Sequence, residues 1–115
     1  MAAFVAIVGV STPLLAQQSQ ALVDGYEDIV NQRWASAEAN LDKALEADRD
    51  NPYVLLNLGV VYQQTGRDAQ AREMYNRVIE SGTSAIAGRS NLPRERGRAL
   101  VRLAEDNLSR LDGNF

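Results

Sequence analysis

The sequence predicts an all-helical domain, a short α-solenoid of two helix-turn-helix repeats followed by a C-terminal capping helix. Three observations support this fold class. Apolar residues recur at helical spacing through most of the chain. The chain also matches itself when it is shifted by 34 residues, and a last amphipathic segment follows the second copy. We place the repeats at residues 18–51 and 52–85 and the capping helix at about 93–111.

The first sixteen residues, MAAFVAIVGVSTPLLA, carry no charged side chain and precede the polar run QQSQ. A membrane-spanning helix needs about 20 apolar residues, so this stretch is short for one. We interpret residues 1–16 as a signal peptide cleaved after Ala16, which leaves residues 17–115 as the domain. No basic residue precedes the apolar run, and Leu14 stands where a small residue is preferred. Two alternatives therefore stay open: an uncleaved membrane anchor, and an apolar arm packed on a cytoplasmic domain.

The 34-residue shift brings small residues onto small residues and large apolar residues onto large ones. It pairs Gly25 with Gly59, Ala37 with Ala71, Leu41 with Tyr75, Ala44 with Val78, and Leu45 with Ile79. A short break divides each copy, at residues 32–33 in the first and 65–67 in the second. Each copy is therefore predicted to form two helices.

The second copy has clear helix boundaries. Asn51 is a good N-cap, and Pro52 suits the first helical position, where its missing N–H costs nothing. Gly66 ends the first helix, and Asp68 is expected to cap the second. The two helices present facing stripes, formed by Leu55, Leu58, Gly59 and Tyr62 and by Ala71, Tyr75, Val78 and Ile79.

Gly59 lies inside the predicted contact stripe of its helix. A helical glycine costs about 1 kcal/mol relative to alanine, so its presence there needs a packing reason. We expect Gly59 and Ala71 to mark the point where the helices cross, with Leu58, Tyr62 and Tyr75 filling the space around it. On this interpretation Gly59→Leu destabilises the fold by roughly 1–3 kcal/mol through overpacking.

The remaining segment should close the stack, because a repeat solenoid buries each unit against its neighbours and needs caps. Residues 81–93, SGTSAIAGRSNLP, are interpreted as a loop with at most one helical turn around Ile86. A helix then begins after Pro93 and stops at Gly113, with an apolar face of Leu100, Leu103, Ala104, Asn107, Leu108 and Leu111. Its arginines are expected to face water, namely Arg94, Arg96, Arg98 and Arg102.

This pattern resembles the tetratricopeptide repeat, a helix-turn-helix unit of 34 residues. The second copy fills the signature positions of that family with Leu58, Gly59, Tyr62, Gly66, Ala71 and Tyr75. The first copy matches at Gly25, Trp34, Ala37, Leu41 and Ala44. However, Asp24 and Asp28 stand where a leucine and a tyrosine are usual, so its first helix is expected to be short or displaced.

The resemblance implies a concave groove, lined by the first helix of each repeat, that holds a peptide or a helix of a partner. Candidate groove residues are Leu22, Tyr26, Tyr53, Asn57, Val60, Gln63 and Gln64. The resemblance also places Val23, Ile29, Val30 and Leu56 in the groove lining. Asn57 occupies a position used by members that clamp a C-terminal carboxylate. Leu22 and Tyr26 replace the lysine and asparagine of that clamp, so the groove suits an apolar segment. The alternative is that several of these side chains pack against the capping helix.

The composition argues against an enzyme. The chain has no cysteine and no histidine, which removes cysteine nucleophiles and thiolate metal sites together with the commonest general base and the commonest metal ligand. No phosphate loop, nucleophile elbow or metal-ligand cluster appears, and DRDN, residues 48–51, lacks the glycine and the distal glutamate of a calcium loop. We therefore predict no catalytic residues, no cofactor and no metal. Trp34, at the inter-helix turn, is expected in the core rather than as an anchor for a partner.

The charge distribution bears on partners. A formal net charge of −3 gives no reason to expect nucleic acid. Between residues 17 and 80 eleven acidic side chains outnumber six basic ones, whereas from residue 81 six arginines outnumber four acidic side chains. This asymmetry indicates either two solvated surfaces of opposite sign or a basic end that docks on an acidic partner.

Together these features predict a non-enzymatic scaffold or assembly factor that binds a partly apolar protein segment, in a bacterial cell envelope such as the periplasm. The alternative is a structural accessory subunit of a membrane complex, held at the membrane by residues 1–16. Self-association is a further option, because two repeats can complete their stack against a second copy.

Overall fold

A computed structural model describes residues 20–113, and these residues form five helices. The helices are α1 Gln20–Val30, α2 Trp34–Ala47, α3 Pro52–Gln64, α4 Asp68–Ile86 and α5 Arg94–Leu111. The predicted all-helical fold of two hairpins and a capping helix is confirmed. None of the described helices has the length and apolar character needed to cross a membrane. The interpretation of residues 1–16 falls outside the described part of the chain.

The helices form two layers. Successive helices pack against each other along the chain, and α1, α3 and α5 also touch in series. The first layer therefore contains α1, α3 and α5, and the second contains α2 and α4. We call the first the odd layer, and it corresponds to the groove side that the sequence predicts. The most extensive contact in the described residues joins α4 to α5, so the capping helix is an integral part of the core.

The two breaks predicted within the repeats have the same geometry. Gln32 and Gly66, 34 residues apart, both adopt the left-handed conformation, with φ of 59° and 79°. The next residue in each turn donates its backbone N–H to a carbonyl five residues back: Arg33 to Asp28 and Arg67 to Tyr62, both at 2.8 Å. These are Schellman-type helix ends, which favour glycine at the left-handed position. The first repeat has Gln32 at this position, so its turn carries the backbone strain of a left-handed residue other than glycine.

The start of α3 follows the prediction, but the start of α4 does not. Asn51 Oδ1 accepts the backbone N–H groups of Tyr53 at 2.9 Å and Val54 at 3.4 Å, and Pro52 occupies the first helical position. The expectation that Asp68 caps α4 is wrong. Asp68 is the first residue inside that helix, and the N-cap residue is Arg67, whose side chain makes no capping hydrogen bond. Its carboxylate still lies in the first turn, where a negative charge interacts favourably with the helix dipole.

Glycine contacts hold the two helices of each hairpin close together. A Cβ atom on Gly59 would lie 2.8 Å from Cδ1 and 3.0 Å from Cζ of Tyr75. In the first hairpin a Cβ atom on Gly25 would lie 2.7 Å from Cγ of Leu41. The close approach predicted at Gly59 is therefore present. However, the residue that lies directly over Gly59 is Tyr75, through its ring, rather than Ala71. Because Gly25 faces Leu41 in the same way, α1 is not displaced.

Asp28 replaces the usual tyrosine of the first repeat with a buried polar network. Its carboxylate is 8% exposed and forms an ion pair with Arg33, at 3.0 Å. It also accepts hydrogen bonds from Ser36 Oγ at 2.6 Å and Asn40 Nδ2 at 2.9 Å. A buried carboxylate with this many donors is satisfied, and it fixes the turn between α1 and α2.

The interpretation of residues 81–93 as a loop is only partly right, because α4 continues to Ile86. The glycine and serine content of this stretch suggested a break. In the structure Gly82 meets Gly97 of α5, and a Cβ atom on either glycine would lie 2.7–2.8 Å from the carbonyl oxygen of the other. The glycines thus serve the close packing of α4 on α5, and this packing outweighs their low helix propensity.

Candidate functional site

The seven candidate groove residues lie at different depths in the odd layer. Leu22, Asn57 and Val60 are buried, with exposures of 6%, 2% and 1%. Tyr26, Tyr53 and Gln63 are half-buried, and Gln64 is exposed. A partner that contacts this layer therefore meets the half-buried and exposed residues, whereas the buried residues support them from beneath.

Asn57 is a buried polar group with an unused acceptor. Its Oδ1 atom has no hydrogen-bond partner among the described residues. An unsatisfied buried acceptor costs about 1–3 kcal/mol, so this side chain does not stabilise the layer through its oxygen. Its burial also separates it from a carboxylate clamp, in which the amide must reach the ligand.

Gln63 is held by the second hairpin. Tyr75, which is fully buried, donates its hydroxyl to Gln63 Oε1 at 2.6 Å. Burial raises the pKa of the Tyr75 phenol, while Asn107 and Arg110 act in the opposite direction. The phenol is therefore neutral and a hydrogen-bond donor at physiological pH. This bond fixes the Gln63 side chain and leaves its amide nitrogen available to an acceptor.

Gln64 is the free amide of the layer. It is exposed, and its side chain forms no hydrogen bond with any other described residue. Gln63 and Gln64 together place one oriented amide and one adaptable amide at the C-terminal end of α3. Side chains of this kind suit the polar groups of a peptide backbone.

Tyr53 marks the other end of α3. Its hydroxyl accepts a hydrogen bond from Arg96 Nη1 of α5 at 3.0 Å. The expectation that Arg96 faces water is therefore wrong, since the helices are close enough for the guanidinium to reach the phenol. Beside this pair lies a cleft of about 390 Å3, whose apolar wall includes Pro52, Leu92 and Pro93. The opening has room for one or two side chains of a partner.

An apolar ridge runs along α1. Val23 and Tyr26 are half-buried, and Val30 is 60% exposed, the one large apolar side chain that stands so open in residues 20–113. Spacings of three and four place these residues on one helical face. The 34-residue shift puts Tyr26 on Val60 and Val30 on Gln64. The ridge therefore belongs to the same face as the candidate residues of α3.

An ion pair joins α2 to the turn between α3 and α4. Glu38 forms an ion pair with Arg67 at 2.7 Å, and the Arg67 guanidinium lies 4.8 Å from the centre of the Tyr62 ring. The hydrogen bond from Arg67 lowers the pKa of Glu38. These contacts join α2 to the turn between α3 and α4, so they lock one hairpin to the next. Trp34 is half-buried against the core, as predicted.

No group of three or more aspartate or glutamate side chains in residues 20–113 is arranged to hold a metal ion. Residues 31–87 match the sequence model of a family described as Tetratricopeptide repeat. The match spans α2, α3 and α4 with the turns between them. No curated protein and no solved structure matches the chain. Repeats of this kind generally mediate protein–protein interaction, and the family is typically non-catalytic.

Proposed function

This chain belongs to the tetratricopeptide-repeat family, and from that premise we propose that it holds a partly apolar segment of another protein against the odd layer. The observation that carries the proposal is the ridge of Val23, Tyr26 and Val30 on α1. Burying apolar surface is favourable by about 25 cal/mol per Å2, so an exposed apolar ridge on the side that the family uses for binding favours association with a partner. The protein then acts as a scaffold or assembly factor without chemistry of its own.

The depth of the candidate residues defines how the partner lies. Val60 and Asn57 are covered, so the segment rests on the edge between α1 and α3. Tyr26 and Val30 contact its apolar side chains, and Gln63 and Gln64 bind its polar groups. A helix with apolar residues at spacings of three and four, or an extended peptide with alternate apolar residues, fits this arrangement.

The test compares variants in the cells that make the protein. Val30→Asp places a charge in the proposed contact and should abolish copurification of the partner, while Tyr26→Ala should weaken it. Ala39→Asp, at an exposed position of α2, makes the same change of charge, so it is the matched control and should leave the partner bound. Equal recovery with Val30→Asp and Ala39→Asp, in folded protein, would refute the proposed surface.

We also propose that the protein acts in the cell envelope, because residues 1–16 have the composition of a signal peptide. Expression of the full native gene, followed by mass measurement and cell fractionation, tests this. A soluble envelope species that begins at Gln17 is expected. An intact chain that stays in the membrane fraction after a carbonate wash would instead favour the second candidate, an accessory subunit held by residues 1–16.

A further inference from the structure

Three arginines on α5 form an unpaired basic stripe. Arg94, Arg98 and Arg102 follow one another at intervals of four residues, are exposed, and form no ion pair with any described residue. The stripe is about 12 Å long at 1.5 Å per residue. We call these three residues the basic stripe.

The other arginines of α5 are engaged, so these three carry the unpaired positive charge of the helix, which also holds the exposed side chains of Glu95, Glu105 and Asp106. Arg96 donates to Tyr53, and Arg110 reaches Asn107 at 3.5 Å. The buried face of α5, with Gly97 and Leu100, is directed at α4 and the core. The basic stripe therefore lies on the face of α5 that no described helix covers.

A stripe of the opposite sign and the same spacing lies on α2. It consists of Glu38, Asp42 and Glu46, and we call it the acidic stripe. Arg67 pairs with Glu38, whereas Asp42 and Glu46 form no ion pair with any described residue. Burial, followed by the charges of Glu38 and Glu46, raises the pKa of Asp42. Glu38 and Glu46 thus repel Asp42, whereas the Arg67 guanidinium acts on it in the opposite direction, and a further cation near Asp42 and Glu46 would reduce the remaining repulsion.

The two stripes cannot meet within one molecule, because α2 and α5 make no contact in the described residues. We propose that the basic stripe of one molecule docks on the acidic stripe of a second copy of this chain. Equal spacing and opposite charge allow two facing pairs, at Asp42 and Glu46, along two antiparallel or parallel helices, while Glu38 stays paired with Arg67. Since the stripes are separate surfaces, the contact joins the copies head to tail and leaves the ridge on α1 uncovered.

The contact is electrostatic, so it should depend steeply on salt. The screening length falls from roughly 20 Å to roughly 4 Å between about 20 mM and about 500 mM salt. Sedimentation equilibrium of the full chain, at concentrations up to about 1 mM, should show self-association at the lower salt. The dissociation constant should rise by about tenfold or more at the higher salt.

Charge reversal identifies the surfaces. Arg98→Glu with Arg102→Glu makes both stripes acidic, and Asp42→Lys with Glu46→Lys makes both basic. Each double variant should be monomeric alone, whereas an equimolar mixture of the two should associate. The variant with all four changes restores opposite signs and should associate by itself. Arg49→Glu with Arg89→Glu changes the net charge as much as the first pair, at exposed positions outside both stripes, and should behave like wild type.

Each remaining outcome overturns the proposal. A wild-type protein that stays monomeric at every concentration and at low salt would contradict it. If both double variants still associate on their own, the contact lies elsewhere. The same holds if the equimolar mixture fails to associate although both of its components are folded. A monomer whose basic stripe binds phosphatidylserine vesicles, with loss of binding in Arg98→Glu with Arg102→Glu, would assign the stripe to an anionic membrane surface.

Discussion

Replacing Gly59 with alanine tests the packing of the second hairpin. The new methyl group would lie 2.8 Å from Cδ1 of Tyr75 and closer still to Cε1. Carbon atoms in contact prefer about 3.5–4.0 Å, so the ring would have to retreat by about 1 Å. Tyr75 is fully buried and its hydroxyl is bonded to Gln63, so the ring has no free space to enter.

Two opposing effects set the magnitude for Gly59→Ala. Alanine gains about 1 kcal/mol over glycine in a helix interior. Overpacking costs about 1–3 kcal/mol, and weakening the bond between Tyr75 and Gln63 adds up to about 1 kcal/mol. These contributions sum to a net loss of about 0–3 kcal/mol, and its midpoint, about 1.5 kcal/mol, lowers Tm by about 6–12 °C in a domain of this size.

The assay is a double-mutant cycle measured by urea unfolding. Tyr75→Leu removes the ring, so in that background Gly59→Ala should cost nothing or stabilise the protein by up to about 1 kcal/mol. An equal cost in both backgrounds would show that the ring does not cause the loss. An unchanged or higher Tm for Gly59→Ala in the wild-type background would refute the close approach itself.

Three further predictions concern stability. Asp28→Asn should lower the free energy of unfolding by roughly 1–3 kcal/mol at neutral pH. Hydrogen bonds, first from Ser36, hold the pKa of Asp28 below its usual 3.8, so the wild-type protein should lose its stability advantage over the variant as the pH falls through that lower pKa. Acid-unfolding curves that run parallel for the two proteins would contradict this pH dependence. Gln32→Gly should raise the free energy of unfolding by about 1 kcal/mol because it relieves the backbone strain of a glutamine in the left-handed conformation. Gly66→Gln should lower the free energy of unfolding for the same reason. An unchanged free energy of unfolding in both variants would contradict backbone strain at these positions. Deleting α5 uncovers part of α4, so the truncated chain should aggregate or unfold without cooperativity, and a monomeric, cooperative fragment would show that α5 is not a cap.

The repeat architecture could be predicted because it depends on local signals. Gly66 and the N-cap Asn51 act within a few residues of their position, and the 34-residue match of Gly25 with Gly59 repeats one pattern of contacts within a hairpin. The structure places these features where the sequence indicates. The contact pairs also follow the period, since Gly25 meets Leu41 as Gly59 meets Tyr75.

What could not be predicted depends on contacts between distant segments. Gly82 reads as a break until α5 supplies Gly97 as its neighbour. Arg96 reads as a solvated arginine until Tyr53, 43 residues away, accepts its hydrogen bond. Asp28 departs from the family pattern, yet donors on the following turn and helix make it a structural residue.

The candidate site shows the same division. The family resemblance placed Tyr26, Val60 and Gln64 in one groove, and these residues lie on α1 and α3 of the odd layer. The resemblance does not report depth, however, because depth depends on how closely neighbouring helices pack. Val60 is therefore covered while Val30 stands open, although both belong to the predicted lining.

Site-specific photo-crosslinking in living cells tests the proposed binding surface most directly. A photoreactive residue at Gln64 or Val30 samples the odd layer, and one at Lys43 samples exposed α2. We expect one partner protein to crosslink from Gln64 and Val30, and the Gln64 crosslink to weaken when Tyr26→Ala is added. A partner that crosslinks from Lys43 as strongly as from Gln64, or a Gln64 crosslink that ignores Tyr26→Ala, would contradict binding through α1 and α3.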